Sequence, residues 1–350
     1  MKKIILLLTL VFAGDICAQG ILVASSRDSS RKFTVSGFAD LYIGYQLNGK
    51  KKKDDFYYNH KVNNALSTNL LLIKGAYESR RFRAVLGLMT GDYSKYNLAS
   101  EPDWAKPLNE AYLGLRLSKR HNIWWDAGVY NSYIGIESAI SSDCPTLTRS
   151  IVAENSPYYL SGTRLQYTSK NKKHEAGLHV LNGWQRIAWD PSIVQPSYGG
   201  HYKYAFTDHL SLMYGAFYGS IYPDSLSIKR FYQHVNVAWD KGSWETWGTL
   251  DVGLEEGFLW GAAQFMSRYS FNKHWSLSER VEIFYDPNNR CARVGAKKET
   301  ILGGLTIGPT FQINNRVLLR FETKYLRATE NILKGEVWDL QFNAGVGVRF

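Results

Sequence analysis

The sequence predicts an all-β protein, a transmembrane antiparallel up-and-down β-barrel of about 16 strands, with about 14 or 18 strands as the near alternatives. Three observations support this fold class. Apolar and polar residues alternate along many segments, short polar turns alternate with longer loops, and the N-terminus has the pattern of a secretory signal peptide.

The N-terminal residues predict a cleaved export signal. Lys2 and Lys3 precede an apolar run at residues 4–13, which is too short for a membrane-spanning helix, and a small residue, Ala18, follows. Cys17 would favour lipidation, but Ile16 stands where a lipidation site requires a small residue. We therefore expect a signal peptide at residues 1–18, a short periplasmic segment at 19–32 and one barrel domain at 33–350.

Composition argues against several other classes of protein. The net charge of +11 comes from basic residues scattered among acidic ones, and export separates the chain from nucleic acid, so no nucleic-acid partner is expected. We find no Gly-rich phosphate loop and no His/Cys spacing typical of a metal site, and we expect no cofactor or metal. Cys144 and Cys291 follow the signal peptide, and the sequence leaves open whether they pair.

The C-terminal segment shows the alternation most clearly. Successive side chains of a strand point to opposite faces, so polar residues between apolar ones predict one lipid-facing and one lumen-facing side. The apolar face consists of Trp338, Leu340, Phe342, Ala344, Val346, Val348 and Phe350. We expect this strand, which ends at Phe350, to be the contact for the barrel-assembly machinery. A half-buried strand of a soluble β-sandwich would show the same alternation. The number of strands and their connections must therefore distinguish a barrel from a sandwich.

The same alternation recurs along the chain, at residues 33–46, 81–88, 110–117, 175–180, 280–285 and 317–325. Residues 70–73 are apolar on both faces, so their register is open. Aromatic residues gather at predicted strand ends, as expected at the two membrane interfaces, among them Trp239, Trp244, Phe271, Trp275, Tyr285 and Trp338.

The connections alternate between short and long. Seven tight turns rich in Asn, Asp, Ser and Lys are predicted at residues 79–80, 119–120, 170–173, 207–208, 240–243, 272–273 and 314–315. Longer loops are predicted at residues 47–63, 94–107, 134–157, 185–195, 222–229, 286–299 and 329–335, and a shorter one at Glu256 and Gly257. Short periplasmic turns and long extracellular loops are typical of outer-membrane barrels.

The middle of the chain contains a run of motifs at residues 109–112 (NEAY), 125–128 (WDAG), 135–140 (GIESAI), 147–150 (LTRS), 154–159 (ENSPYY) and 181–186 (LNGWQR). With these motifs the chain resembles the OmpL-like family of outer-membrane β-barrel porins. The resemblance covers most of the mature chain and is densest at the motifs. It implies an outer-membrane barrel with porin activity. It implies no defined substrate and no catalytic residues.

The longest loop, residues 134–157, follows the fifth predicted strand. Because it is rich in apolar residues, we expect it to fold into the lumen, with a short helix between Thr148 and Asn155 that is capped by Thr148 or Ser150. The charges at the resulting constriction would be Glu137, Asp143, Arg149 and Glu154. The alternative is an extracellular loop that packs on its neighbours.

Charged residues of both signs are predicted to face the lumen. The basic ones are Arg81, Arg83, Arg116, Arg164, Lys203, Arg280, Arg320, Lys324 and Arg349, and the acidic ones are Asp40, Glu110, Asp126, Glu175, Asp251, Glu282, Glu322 and Asp339. Their near balance predicts at most a weak preference for anions. Alternatively, they pair across neighbouring strands and only line a wet wall.

The predicted function is a porin for passive diffusion of small polar solutes, and its predicted surroundings are outer-membrane lipid and lipopolysaccharide. The basic run at residues 50–53 is expected either to contact lipopolysaccharide phosphates or an anionic solute at the mouth of the barrel, or to be a solvated loop tip. A closed barrel that serves as adhesin, receptor or anchor is the main alternative. His209 and Ser211 share a strand face, but a hydrolase also needs a positioned third group, so no enzyme is expected. An oligomer is compatible with the sequence, which identifies no subunit interface.

Overall fold

The structure, a computed structural model, describes residues 21–25, 31–49, 52–292 and 300–350. The predicted signal peptide lies outside the described residues. Sixteen antiparallel strands form a closed up-and-down barrel, in which each strand pairs with its neighbours in sequence and the last barrel strand pairs with the first. No helix in the described ranges has the length and apolar character that a membrane span needs.

The strands have the following bounds: β1 Ile21–Ser25, β2 Arg31–Gln46, β3 Leu66–Ser79, β4 Phe82–Thr90, β5 Leu108–Arg116, β6 Asn122–Asn131, β7 Tyr159–Thr168, β8 His174–Leu181, β9 Ser197–Ala205, β10 Leu210–Ser220, β11 Lys229–Lys241, β12 Trp244–Glu255, β13 Phe258–Ser270, β14 Trp275–Tyr285, β15 Ile301–Asn314, β16 Val317–Ala328 and β17 Trp338–Arg349. Each of the seven predicted turns and eight predicted loops corresponds to one connection between these strands, with one or two residues at some of their ends belonging to a strand, so the predicted count of sixteen barrel strands is confirmed. Residues 293–299 of the predicted loop 286–299 lie outside the described residues. The turns lie at one end of the barrel and the loops at the other.

The barrel closes along β2, the strand that pairs with three others. Residues 38–46 of β2 pair with β17, and residues 32–35 pair with the short strand β1 on the same edge. At the junction, the backbone N–H of Gly37 donates to the carbonyl of Phe350 and the N–H of Phe350 donates to the carbonyl of Gly37, both at 3.1 Å. The last residue of the chain is therefore part of the closure.

The outer face is apolar. Large hydrophobic side chains are exposed at alternate positions of the strands, and Leu178, Leu113 and Ile73 are 68%, 58% and 54% exposed. Exposed rings of Trp244 and Trp275 flank the short turns, as predicted. Since a soluble monomer does not expose so continuous an apolar surface, this face is the one that contacts lipid.

The register of the doubly apolar segment at residues 70–73 is settled by packing. Leu72 faces inward and joins a buried cluster with Phe38, Met89 and Tyr93, whereas Ile73 faces outward. A bulge in the β2–β3 ladder near Leu41 adjusts this register. Both faces are apolar here because the inner one contacts loop side chains instead of water.

Candidate functional site: the barrel lumen

The inner face of the sixteen barrel strands carries charges of both signs that differ in burial. The buried acidic side chains are Asp40, Glu110, Asp126, Asp251, Glu255, Glu282, Glu322 and Asp339, and the buried basic ones are Arg230, Arg280, Arg320 and Lys324. The half-buried or exposed basic side chains are Lys32, Lys74, Arg83, Arg116, Arg164, Lys203, Arg268 and Arg349, and the corresponding acidic ones are Glu78, Glu175, Asp240 and Glu245. Arg81 lies in the turn between β3 and β4, not on a strand.

The connection between β6 and β7, residues 132–158, is called here the long loop. It crosses the inner face of β14–β16. Arg280 of β14 donates to the hydroxyl of Thr146 and to the carbonyl of Thr148, both at 2.7 Å. The Glu322 carboxylate of β16 accepts the backbone N–H of Thr148 at 3.0 Å and also its hydroxyl. Hydrogen bonds to charged groups contribute about 1.5–3 kcal/mol each, so these contacts hold the loop firmly.

Further wall residues hold the long loop on either side of this point. Arg320 donates to the carbonyl of Ser141 at 2.7 Å, Lys324 donates to the carbonyl of Arg149 at 3.2 Å, and Glu282 accepts the N–H of Ile151 at 2.6 Å. The inner face of β15 between them carries only small or apolar residues such as Gly304 and Thr306, which leaves room for the loop backbone. The charged side chains on the inner face of β14 and β16 therefore hold the long loop in place.

The helix that the sequence predicts in this loop is confirmed. Ile151–Glu154 form one helical turn, and the Ser150 hydroxyl caps it by accepting the N–H of Ala153 at 3.1 Å. The Glu137 carboxylate lies at the same point, where it accepts the N–H of Ser150 at 3.2 Å and faces Arg280 at 3.8 Å.

The other three predicted constriction charges also have partners. Arg149 is fully buried and donates to the carbonyls of Ser138 at 2.6 Å and Leu147 at 2.9 Å. Glu154 is buried, which raises its pKa, although it accepts the N–H of Tyr58 at 2.8 Å. Asp143 alone is partly exposed and pairs with Arg349 at 2.7 Å. The proposed role of these four charges at a constriction stays a prediction.

The loop between β2 and β3, residues 47–65, also folds inward, which the sequence analysis missed. This segment is called the first loop. Lys53 is buried and donates to the side chain of Asn343 on β17 at 2.5 Å, so the solvated-tip interpretation is wrong for this lysine. His60 faces Asp40 of β2 at 3.2 Å. Lys50 and Lys51 lie outside the described residues. A usable signal was the pair of aromatic residues, Phe56 and Tyr57, in a segment otherwise rich in charge.

Burial lowers the pKa of two lysines in the first loop. The pKa of Lys53 falls to about 8, mainly because burial disfavours the charged amine, while Glu322 opposes this shift. The pKa of Lys61 also falls to about 8 for the same main reason, opposed by Asp55. Each amine has a carbonyl or amide oxygen as acceptor, and Lys61 donates to the carbonyl of Asp54.

The opposite wall holds a compact group of charges that is bonded to neither loop. Asp126 of β6 accepts the Nε of Arg83 and the Nε of Arg164, both at 2.8 Å, and it is fully buried. Arg83 reaches across β5 because the intervening residue is Gly114, where an added Cβ would lie 2.1 Å from the Asp126 carboxylate. The predicted lumen residues Arg83, Asp126 and Arg164 therefore form one connected group.

A cluster of histidines holds the start of the long loop. The ring of Tyr133 lies 4.4 Å from His179, 5.2 Å from His201 and 6.4 Å from His234, and its hydroxyl donates to the carbonyl of Ala216 at 2.6 Å. His179 and His201 contact each other at 3.1 Å. Because the three imidazoles pack against the ring of Tyr133, this histidine cluster positions the start of the long loop.

Cavities lie on either side of the long loop. At the loop end of the barrel, a cavity of about 810 Å³ is lined by Glu101, Glu154, Trp184, Arg186 and Arg230, among others. At the turn end, a cavity of about 720 Å³ is lined by Ser142, Trp247, Arg268, Arg320 and Arg349, among others. The two cavities share no lining residue. The long loop contributes to both.

The remaining candidate chemistry forms no site in the described part of the chain. Cys144 and Cys291 are free thiols, so the open question about their pairing is answered. His209 lies in the turn before β10, where its backbone N–H donates to the Thr207 hydroxyl. No hydrogen bond joins its imidazole to Ser211 within the described ranges. There, too, no group of three or more His, Cys, Asp or Glu side chains could hold a metal ion.

Comparison with known proteins gives one family and one fold. The sequence profile of a family described as "Putative beta-barrel porin-2, OmpL-like" matches residues 32–345. No curated protein matches this sequence.

Three solved structures with a similar fold are porins or channels of the outer membrane or are named as such. OmpF of Salmonella typhi in complex with daunomycin has 12% identity and a TM-score of 0.66, with 93% of this chain and 100% of that chain covered. The outer membrane channel DcaP of Acinetobacter baumannii has 10% identity and a TM-score of 0.64, with 94% and 100% covered. An anion-selective porin from Comamonas acidovorans has 10% identity and a TM-score of 0.58, with 91% and 100% covered. At these identities the likeness establishes the fold alone.

Proposed function

Because the chain belongs to the OmpL-like β-barrel porin family and forms a 16-stranded porin barrel of the outer membrane, we propose that small polar solutes diffuse passively through its lumen past a constriction formed by the long loop. The observation that carries this proposal is the contact between the loop and the wall. Arg280, Glu282, Arg320, Glu322 and Lys324 all bond to loop residues between Ser141 and Ile151.

The physical reason for a constriction is the width of the barrel. A closed barrel of about 16 strands leaves an aqueous lumen unless chain segments fill it. Five charged wall residues hold the long loop, whereas Arg83 and Arg164 on the opposite wall are bonded to neither loop. We expect solutes to pass between the long loop and the opposite wall, which carries Arg83 and Arg164. The proposed charges Glu137, Arg149 and Glu154 act by shaping the loop, and Asp143 is the one exposed to solutes.

The test is a deletion of residues 141–153, measured as single-channel conductance in planar bilayers. Conductance should rise by roughly twofold or more, because it scales with the open cross-section. The matched control is deletion of residues 223–227, in the exposed loop between β10 and β11, which should leave conductance unchanged. A 141–153 deletion that inserts normally but conducts like the wild type would remove the constriction role.

One observation favours a second candidate, a closed barrel that acts as adhesin, receptor or anchor. Inner-face side chains as large as Trp260, Tyr232, Arg280 and Lys324 are fully buried, so much of the lumen is filled. Liposome swelling separates the two functions. Vesicles that contain a porin swell in an isotonic solution of a small sugar, whereas a closed barrel admits no sugar and no swelling follows.

A further inference from the structure

The accessible part of the lumen wall is mainly basic. Of the inner-face charges of the sixteen barrel strands, eight of twelve acidic side chains are buried, whereas eight of twelve basic side chains are half-buried or exposed. Part of this difference arises because the first and long loops cover acidic residues such as Asp40 and Glu322. A solute in the open lumen therefore contacts cations more often than carboxylates.

Arg83 and Arg164 are the best-organised cations of this wall. Their side chains are 22% and 12% exposed, and both bond to the one buried carboxylate of Asp126. Arg83 also donates to the side chain of Gln166 at 2.6 Å. Two guanidinium groups that share one carboxylate leave the group with a net charge of about +1. This charge lies at a wall that water reaches.

Aromatic rings support both guanidinium groups. The Arg164 guanidinium lies 4.1 Å from the ring centre of Tyr130 and 5.3 Å from that of Tyr112, and the Arg83 guanidinium lies 4.5 Å from the ring centre of Trp124. Such stacking orients the planar groups without using their N–H donors. In the described ranges only the Nε of Arg164 is hydrogen-bonded, so both of its terminal nitrogens are available.

We propose that Arg83 and Arg164 form a binding subsite for monovalent oxyanions, with the carboxylate group of small organic acids as the preferred ligand. The planar guanidinium of Arg164 matches a carboxylate, which accepts two parallel N–H bonds. The net charge of about +1 balances one negative charge, and this favours a monocarboxylate over a dianion such as phosphate. The subsite rests on the proposed open lumen and makes the channel prefer anions more strongly than the charge balance of the sequence predicts.

The experiment measures ion selectivity and block of the refolded full-length protein in planar bilayers at about 0.1 M KCl, where screening is moderate. In wild type, the reversal potential in a KCl gradient should report chloride as the more permeant ion, and propionate should reduce the chloride current in a saturable way. In the Arg164→Gln variant, Asp126 keeps Arg83 as partner, so folding is preserved. The chloride-to-potassium permeability ratio should fall by roughly threefold, and block by propionate should weaken by about tenfold.

Two control variants separate a subsite from a general charge effect. Arg164→Lys keeps the charge but loses the planar fork, so selectivity should persist while propionate block weakens. Arg120→Gln removes a cation from the exposed turn between β5 and β6 and should change neither quantity. Propionamide, which is uncharged, and phosphate should block less than propionate.

The possible outcomes distinguish this inference from the proposed function. A wild-type protein that inserts but does not conduct contradicts the porin proposal. A conducting wild type whose selectivity and propionate block are unaffected by Arg164→Gln overturns the subsite alone. Stronger block by phosphate than by propionate would also overturn the preference for monocarboxylates.

Discussion

At single positions of the lumen wall, a missing side chain determines which charges meet. Gly114 leaves the space through which Arg83 reaches Asp126, and Gly177 leaves the space in which His179 and His201 meet. In both cases an added Cβ would lie within 2.3 Å of a side-chain atom of the neighbouring strands. Glycine on the inner face therefore leaves room for side chains to meet. At Gly114 they come from the two strands on either side of β5, and at Gly177 they come from the adjacent strands β8 and β9.

Replacement of Gly114 by alanine should separate Arg83 from Asp126. We expect Gly114→Ala to lower the free energy of unfolding by about 1–3 kcal/mol, since the added methyl group overpacks a filled space. The matched control is Gly303→Ala, because nothing lies within 4 Å of a Cβ at that position. Urea unfolding in lipid vesicles checks both variants, and equal stability of the two would contradict the role of Gly114.

At the scale of elements, the two inward-folded loops differ in how they are held. Charged side chains of β14 and β16 bond to the long loop, whereas the first loop brings its own buried lysines, Lys53 and Lys61, to polar oxygens. Burial of an amine costs free energy unless the amine is neutral. The first loop should therefore be the more pH-sensitive of the two.

The direction of this pH dependence follows from the number of protons that the packed and the open first loop bind. The pKa of each lysine is about 8 in the folded protein and 10.5 in its ordinary state, so between these values the loop in its open state binds more protons than the packed loop. The packed loop should gain stability as the pH rises from 8 to 10.5, with opening suppressed by up to about tenfold per pH unit for each lysine.

Hydrogen exchange of backbone amides at residues 52–62, corrected for the intrinsic pH dependence of exchange, measures this effect. Protection should increase with pH in wild type. The double variant Lys53→Met and Lys61→Met should show no such increase, because methionine keeps the apolar stem and lacks the titrating amine. An equal increase in both proteins would assign the pH dependence to other groups.

At the scale of the whole molecule, Phe350 takes part in the closure of the barrel beside the β2–β17 ladder. Gly37 provides the space for the Phe350 ring, since an added Cβ would lie 2.3 Å from it, and the backbones of the two residues exchange hydrogen bonds. These contacts join the first strand of the barrel, β2, to its last strand, β17. They also place Phe350 at the edge that we expect the barrel-assembly machinery to recognise.

Truncation of this ring should weaken closure and slow assembly. We expect Phe350→Ala to reduce stability by about 2 kcal/mol and to lower the folded fraction in outer membranes, measured by heat-modifiable migration in SDS gels. Phe342→Ala is the control, because this ring is also exposed on the outer face but lies beside Tyr45, away from the junction between Phe350 and Gly37. If both variants assemble equally, the contact between Phe350 and Gly37 has no special role in assembly.

The sequence by itself determined the strands, their alternation, the turns and loops, and a short helix capped by Thr148 or Ser150, between which the structure decided for Ser150. These features depend on local physics, because side chains alternate along a strand and turn residues adopt particular backbone angles. The outer face was equally predictable, since one medium, lipid, contacts every outward residue. The strand from Trp338 to Arg349 is an example.

Only the tertiary structure decided which inner-face charges meet loops and which meet water. Glu322 and Thr148 are 174 positions apart and Lys53 and Asn343 are 290 apart, so no local pattern links them. Lumen-facing residues also vary in environment, because loop backbone, loop side chain or solvent contacts each one. Alternation therefore identifies a residue as inward-facing, whereas the closed ring and its folded loops decide whether that residue anchors a loop, as Arg280 does, or is accessible, as Arg164 is.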